Sequence, residues 1–290
     1  MRYLISILIL IAVGCPLWAA DKPPLRILII DGQNNHAWQQ TTPVLRHHLS
    51  AVAHFQVDVA TSPPRGSNSA TMNGFHPNLN QYDVIVSNYN GQPWGDDLRQ
   101  SLINFVHHGG GFVVVHAANN AFGSWQEYNR LIGLGGWDNR TESAGPFVYY
   151  RDGRIVRDDT TPGPGGSHGP QHEFQVVIRD TNHPITNGMP LAWMHAKDEL
   201  YDSLRGPAEE MRILATAYSE KSGRHEPMIL TVRFGNGRVF HTPMGHSTGA
   251  MKCAGFAATL QRGVEWAATS HVTLPLPADF PSASKTVTQE

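Results

Sequence analysis

Histidine is the residue type with which this chain could do chemistry. The 290 residues contain 16 of them, and imidazole is both the commonest metal ligand and the side chain that titrates nearest neutrality. The most sharply placed is His116, which ends the run Gly109-Gly110-Gly111-Phe112-Val113-Val114-Val115-His116-Ala117-Ala118. His36, His195 and His246 also follow or close apolar segments, and Asp198 and Glu199 stand just beyond His195. Three neutral imidazoles with an open position bind zinc or a similar divalent ion, which then activates water or polarises a carbonyl. Without a metal, the same groups can act as general acid and base in proton abstraction next to a sugar carbonyl. The candidate catalytic residues are His116, His195, Glu199 and His246, and the candidate ligands of one divalent ion, zinc first, are His36, His116 and His246. For each, the plain alternative is a buried histidine satisfied by backbone groups. Asp198 has a second reading as a cap or as the partner that fixes an imidazole tautomer. His241, inside a strand, reads as core or as support for the site, whereas His168, His172 and Glu173 read as ligands, substrate contacts or solvated loop residues.

These residues meet only if the segments carrying them are strands of one sheet. A short apolar run after a glycine turn, such as 111–115, reads as a buried parallel strand. Leu25-Arg26-Ile27-Leu28-Ile29-Ile30-Asp31-Gly32 reads as a first strand that runs into a loop holding His36. A helix from about Thr41 to Val52 follows, with Pro43 in its first turn and with His47 and His48 expected at the surface. Further strands are expected at 55–60 and 82–87, a long surface loop at 63–80, and helices at 97–108 and 124–132. Four strand-then-helix steps predict a doubly wound, mostly parallel α/β sheet, and ligands in such sheets sit beyond the carboxyl ends of the strands.

From Gly135 the alternation breaks into a loop-rich insertion expected over that active edge, with one clear strand at 174–178. Gly235-Asn236-Gly237 signals a hairpin between strands at 228–234 and 238–241, and the second of these leads to His246. A last helix is expected from about Ala250 to Ala268. Beyond His271 a proline-rich tail should be poorly ordered or laid along the surface. The resulting division is a leader at 1–20, an α/β domain at 25–270 and a tail at 271–290.

The formal charge of −2 becomes one unit more negative without Arg2 of the leader, which leaves no electrostatic footprint for nucleic acid or an anionic membrane. The apolar run Leu4 to Val13 is too short to span a bilayer and reads as an export signal cleaved near Ala19 or Ala20. The alternative is a lipoprotein signal with Cys15 as the lipidated residue. Only Cys253 then remains, so no intramolecular disulfide is available, and its bland role is a small buried hydrophobe. No transmembrane segment is expected after processing, and a homo-oligomer is left open. Trp38, Tyr89, Trp94, Trp125, Trp137 and Trp193 fall mostly in loops at the expected active edge, which suits a carbohydrate pocket as well as plain packing. Trp38, Asn90, Asn119 and Tyr201 are the candidate substrate contacts.

Taken together, the His36 loop, the Gly-Gly-Gly-Phe-Val-Val-Val-His-Ala-Ala segment, Asn182-His183-Pro184-Ile185-Thr186, Asp198-Glu199-Leu200-Tyr201, and Gly237-Arg238-Val239-Phe240 leading to Gly245-His246 resemble the trehalose-utilisation, or ThuA-like, family. The resemblance covers about residues 25–269. It implies a class I glutamine-amidotransferase-like fold, a link to sugar metabolism and a metal in some members. In that fold a nucleophilic cysteine occupies the sharp turn after the central strand. His116 stands there instead, which argues against glutaminase activity, and neither Ser124 nor Ser247 lies in a Gly-x-Ser-x-Gly elbow. The expected function is therefore an exported enzyme acting on a sugar or keto-glycoside by hydrolysis, elimination or isomerisation, with no nucleotide cofactor. The alternative is a non-catalytic carbohydrate-binding or accessory module of the same fold.

Overall fold

A computed structural model describes residues 23–289. The leader and Cys15 lie outside the described residues. The chain opens with β1 (Leu25–Asp31), α1 (Trp38–Ser50), β2 (Phe55–Thr61), α2 (Ser69–Asn73), β3 (Val84–Ser87), α3 (Asp96–His107), β4 (Gly111–Val115) and α4 (Gln126–Ile132). There follow β5 (Phe147–Arg151), β6 (Arg154–Asp158), β7 (Ser167–His168), β8 (His172–Ile178), β9 (Ala192–Asp198), β10 (Tyr201–Asp202), β11 (Met211–Ser219), β12 (Arg224–Phe234) and β13 (Gly237–Thr242). Two helices, α5 (Thr248–Met251) and α6 (Ala254–Thr269), close the α/β unit.

The main sheet runs β2-β1-β3-β4-β13-β12-β11-β8-β9, and β5 pairs with β12 and β6 beside it. From β2 to β13 every pairing is parallel, as the continuous Val/Ile/Leu runs and intervening helices require. Alternation along β1 sends Ile27 and Ile29 into one core layer, and Leu28 and Ile30 into the other. The first layer packs under α1, α5 and α6, with Leu45, Leu49, Phe256, Leu260 and Val264 at its centre. The second packs under α3 and α4 through Leu98, Leu102, Val106, Tyr128 and Leu131.

Past β13 the sheet continues by antiparallel pairings to β12, β11, β8 and β9. Four antiparallel steps restore the original direction, so β9 ends on the same edge as β1, β4 and β13. The insertion expected to be loop-rich thus supplies regular structure: the β5–β6 hairpin and a two-stranded ribbon of β7 with β10. Two helix boundaries also differ. The first helix starts at Trp38, which moves Pro43 beyond its first turn, and the last is broken into α5 and α6 at Lys252-Cys253. His48 is buried rather than exposed and lies 3.0 Å from the Met251 carbonyl, tying α1 to α5. After α6, Val272, Leu274, Leu276 and Phe280 pack on the core. Met194 N–H donates to the Ser282 carbonyl and Ala254 N–H to the Val287 carbonyl, so this segment straps the β9 edge.

Candidate metal centre and cavity

Three parallel strands deliver the histidines, with β3 between the first two. His36 follows β1, His116 follows β4 directly, and His246 lies four residues past the end of β13. His116 sits at φ +46°, a left-handed conformation that a residue with a Cβ seldom adopts. That strained turn sends the chain from β4 into a short 3-10 helix (His116–Asn120) and leaves the imidazole at the sheet edge. Such strain persists only where surrounding contacts over-determine it, and it clusters at functional sites. Here Tyr128 holds the next turn through a 2.8 Å hydrogen bond from its hydroxyl to the Ala118 carbonyl.

One ligand atom from each of His36, His116, Glu199 and His246 falls within 4.8 Å of all the others. His116 Nδ1 lies 2.6 Å from the Pro243 carbonyl oxygen, to which only an N–H can donate, so in the neutral ring Nε2 carries the lone pair. That Nε2 is buried without a hydrogen-bond partner, 3.7 Å from Glu199 Oε2. His246 Nδ1 lies 3.0 Å from the same oxygen without the alignment of a hydrogen bond. His36 Nε2 lies 3.2 Å from the Tyr201 hydroxyl. Burial, and then His116 and His246 nearby, push the His36 pKa down to about 3, which keeps this imidazole neutral at ordinary pH. Burial opposes charge on Glu199, yet His116 and His246 hold its carboxyl well below the usual range. Glu199 in turn raises the pKa of His246. Two orphaned buried nitrogens, a neutral third imidazole and an ionised carboxylate form a donor set that fits one divalent cation.

Asp198 holds the two halves of this set together. Its Oδ1 accepts from the backbone N–H of Glu199 at 2.8 Å and of His246 at 3.0 Å; its Oδ2 accepts from Gly245 N–H at 2.7 Å and from His195 Nε2 at 2.8 Å. Both side chains of the His195–Asp198 pair are fully buried. Burial resists the charge on His195, but the bond to Asp198 outweighs it and raises the pKa to about 9. His195 is therefore not among the residues that reach the cavity. The β9 alternation turns it under α6, between Phe174 and Trp193, where it serves Asp198.

A cavity of about 430 Å³ opens over Glu199 and His36, walled by Asn35, Asn90, Asn120, Trp137, His168 and Tyr201 among others. A family model described as ThuA, trehalose utilisation, matches residues 26–267. The chain belongs to the ThuA family. Among solved structures, one described as a ThuA-like protein from Parabacteroides merdae shares 46% identity over 92% of this chain and 98% of its own, with a TM-score of 0.88. A second ThuA-like protein, from Bacteroides uniformis, is 18% identical with a TM-score of 0.57, covering 89% of this chain and 98% of its own. A cytoplasmic protein from Salmonella typhimurium is 13% identical with a TM-score of 0.52, over 84% and 99% of the two chains. These last two show a shared fold alone. No curated protein sequence matches the chain.

Within this ThuA-family chain, Asn90 and Tyr201 line the cavity, whereas Trp38 and Asn119 do not. Trp38 begins α1, is half-buried and is not among the residues that line the cavity. Asn119 is buried with its amide 3.1 Å from His241 Nε2, and the adjacent Asn120 reaches the cavity instead. Residues turn about 120° per step in a 3-10 helix, and nothing in the sequence disclosed that phase. His241 is wholly buried; burial, and the nearby Arg140 charge behind it, push its pKa down to about 4. His168, weighed as a ligand, a substrate contact or a solvated loop residue, stands on β7 in the cavity wall, 3.9 Å from Glu199 Oε1. Its Nδ1 lies 2.8 Å from the Gly169 carbonyl, so Nε2 is the accepting nitrogen. Arg65 and Asp138 also line the cavity. The only sequence signal for either was its place in a loop.

Proposed function

We propose that His36, His116, Glu199 and His246 hold one divalent ion, zinc first, and that the protein takes a proton from the carbon beside the carbonyl of an oxidised sugar or keto-glycoside. That step opens elimination or isomerisation. The observation that carries the reading is the convergence of four donors within 4.8 Å around a buried His116 Nε2 with no hydrogen-bond partner. An orphaned polar atom of this kind costs free energy unless something binds it. A bound cation supplies Lewis acidity toward a carbonyl oxygen, which makes the neighbouring C–H more acidic.

The chain's own groups provide the rest. His168 Nε2, kept as an acceptor by the Nδ1 bond to Gly169, takes the proton. The C–H electron pair becomes a carbon–carbon π bond while the carbonyl electrons move to oxygen. Return of the oxygen electrons to the carbonyl with expulsion of a substituent from the next carbon completes an elimination; where the deprotonated carbon bears a hydroxyl, transfer of that hydroxyl proton to the enolate oxygen and return of the abstracted proton to the former carbonyl carbon complete an isomerisation. Tyr201, whose hydroxyl burial keeps protonated, is the donor facing this space. Asn35, Asn90 and Asn120 beside the aromatic rings of Phe122, Trp137 and Tyr201 suit a hydroxylated ring with apolar faces. The description of the family as trehalose utilisation supports a sugar. The leader-like residues 1–20 support action outside the cytoplasm, with lipidation at Cys15 as the alternative. No helix among the described residues is long and apolar enough to cross a membrane.

The direct assay is exchange of the proton beside the carbonyl of a methyl glycoside oxidised to a ring ketone, followed by proton NMR in deuterium oxide. Zinc-loaded protein should catalyse exchange, a chelator should abolish it, and His168→Gln should slow it by about a hundredfold or more while leaving metal content unchanged. Binding of the ketone without any exchange would reject the enzyme and favour the accessory module.

A further inference from the structure

The cavity wall contains an unusual stretch of backbone. Trp137, Asp138 and Asn139 have φ of +52°, +44° and +59°, three successive non-glycine residues in the left-handed region. Asp and Asn tolerate it as single residues, whereas a bulky residue there is a true outlier. The turn is held from several sides. Trp137 N–H donates to the Gly165 carbonyl at 2.7 Å, and Gly165 N–H to the Arg140 carbonyl at 2.7 Å. Arg140, itself buried, donates from its guanidinium to the carbonyls of Asn120, Gly136 and Ala121. Gly123 N–H donates to Asp138 Oδ2 at 2.5 Å. Neighbouring glycines are required by space: a Cβ at Gly123 would lie 2.1 Å from the Asp138 carbonyl oxygen, and one at Gly166 would lie 2.6 Å from Trp137 Cε3.

That conformation places two consecutive side chains, Trp137 and Asp138, in the cavity lining. The indole leans on Tyr201, ring centroids 4.6 Å apart, and remains partly exposed. Asp138 is exposed, and Gly123 engages only its Oδ2. An apolar face beside a carboxylate oxygen is what a pyranose ring, apolar on its faces and hydroxylated around its edge, would meet.

We propose that the Trp137–Asp138 turn is the sugar-ring subsite: the indole packs on a ring face, and Asp138 Oδ1 accepts from ring hydroxyls. The strain is retained because a relaxed turn would take one of the two groups out of the cavity. This rests on the carbohydrate reading and names the residues that select the ring.

The test is titration of the zinc-loaded protein with trehalose, methyl glucoside and its ring-ketone derivative, read by calorimetry and tryptophan fluorescence. Wild type should bind at least one of them. Trp137→Ala should weaken that binding about tenfold or more, and Trp137→Phe, which keeps an aromatic face, should restore most of it. Binding by Trp137→Ala within about threefold of wild type would overturn the proposal. Should that variant not fold, Asp138→Asn decides: it keeps an acceptor for Gly123 but converts the free oxygen to a donor. A fivefold loss then supports the subsite and an unchanged affinity rejects it. A wild type that binds none of the sugars overturns the carbohydrate reading itself, and the subsite with it.

Discussion

At Asp198 four hydrogen bonds meet with no exposure to solvent, and three of them come from backbone N–H groups of residues 199, 245 and 246. Two of those residues are candidate ligands, so the carboxylate sets the spacing between Glu199 and His246 without touching the cation they would share. Replacing it with Asn removes the negative charge and turns an NH₂ toward a backbone donor. Supporting contacts of this kind typically cost ten- to a hundredfold in metal affinity when lost, and breaking a buried ion pair costs about 3–5 kcal/mol of stability. Asp198→Asn should therefore weaken zinc binding by about tenfold or more by calorimetry and lower the urea midpoint. Near-wild-type values for both would remove Asp198 from this role. His36, His116 and His246 were legible in the sequence because each follows an apolar run that must end at a sheet edge. His195 also follows such a run, but period-two alternation decides whether a residue near a strand end faces core or cavity, and a one-residue ambiguity in register reverses that answer.

Elements explain how residues so distant in sequence converge. Parallel strands β1, β4 and β13 point their carboxyl ends the same way, and the antiparallel steps from β13 to β9 return Glu199 to that edge. The parallel half was readable from unbroken aliphatic runs. Of the antiparallel half, the 174–178 strand and the glycine-turn hairpin were readable, but the β5–β6 hairpin was not, because both strands are short and β6 is largely exposed. The break between α5 and α6 was not read from Gly249 and Gly255, which flank it; it coincides with a bridge between Cys253 and Thr288 of the C-terminal strap. That strap covers the core with Val272, Leu274, Leu276 and Phe280 and caps the β9 edge. Deleting 272–289 should cost at least about 3 kcal/mol, taking roughly 1.5–3 kcal/mol for each fully buried aliphatic or aromatic side chain and discounting for partial burial. Chemical denaturation measures this, and unchanged stability would show the strap to be passive.

Across the whole molecule, buried histidines set the response to pH. Burial pushes the pKa of His183 and of His241 down to about 4. Between there and their unfolded values near 6.5 the unfolded chain binds more protons, so stability rises with pH. Glu226, buried and pushed up to about 7, works in the opposite sense over part of this range. His36, held down to about 3, is the third such histidine, and one proton against three leaves a net gain of roughly 2.7 kcal/mol per pH unit. His195 behaves differently: its pKa is raised to about 9, so its stabilisation is complete below pH 6.5 and fades as pH climbs through 9. Metal-free protein should thus have a urea midpoint that increases from pH 4.5 to 6.5 and declines again toward pH 9; a flat profile would contradict the buried-histidine account. The central claim is the metal centre, and elemental analysis of purified protein after incubation with zinc and desalting tests it most directly. The account predicts one zinc per chain in wild type and loss of that zinc in folded His116→Ala. Wild type without zinc, or folded His116→Ala that keeps a full equivalent, would contradict it.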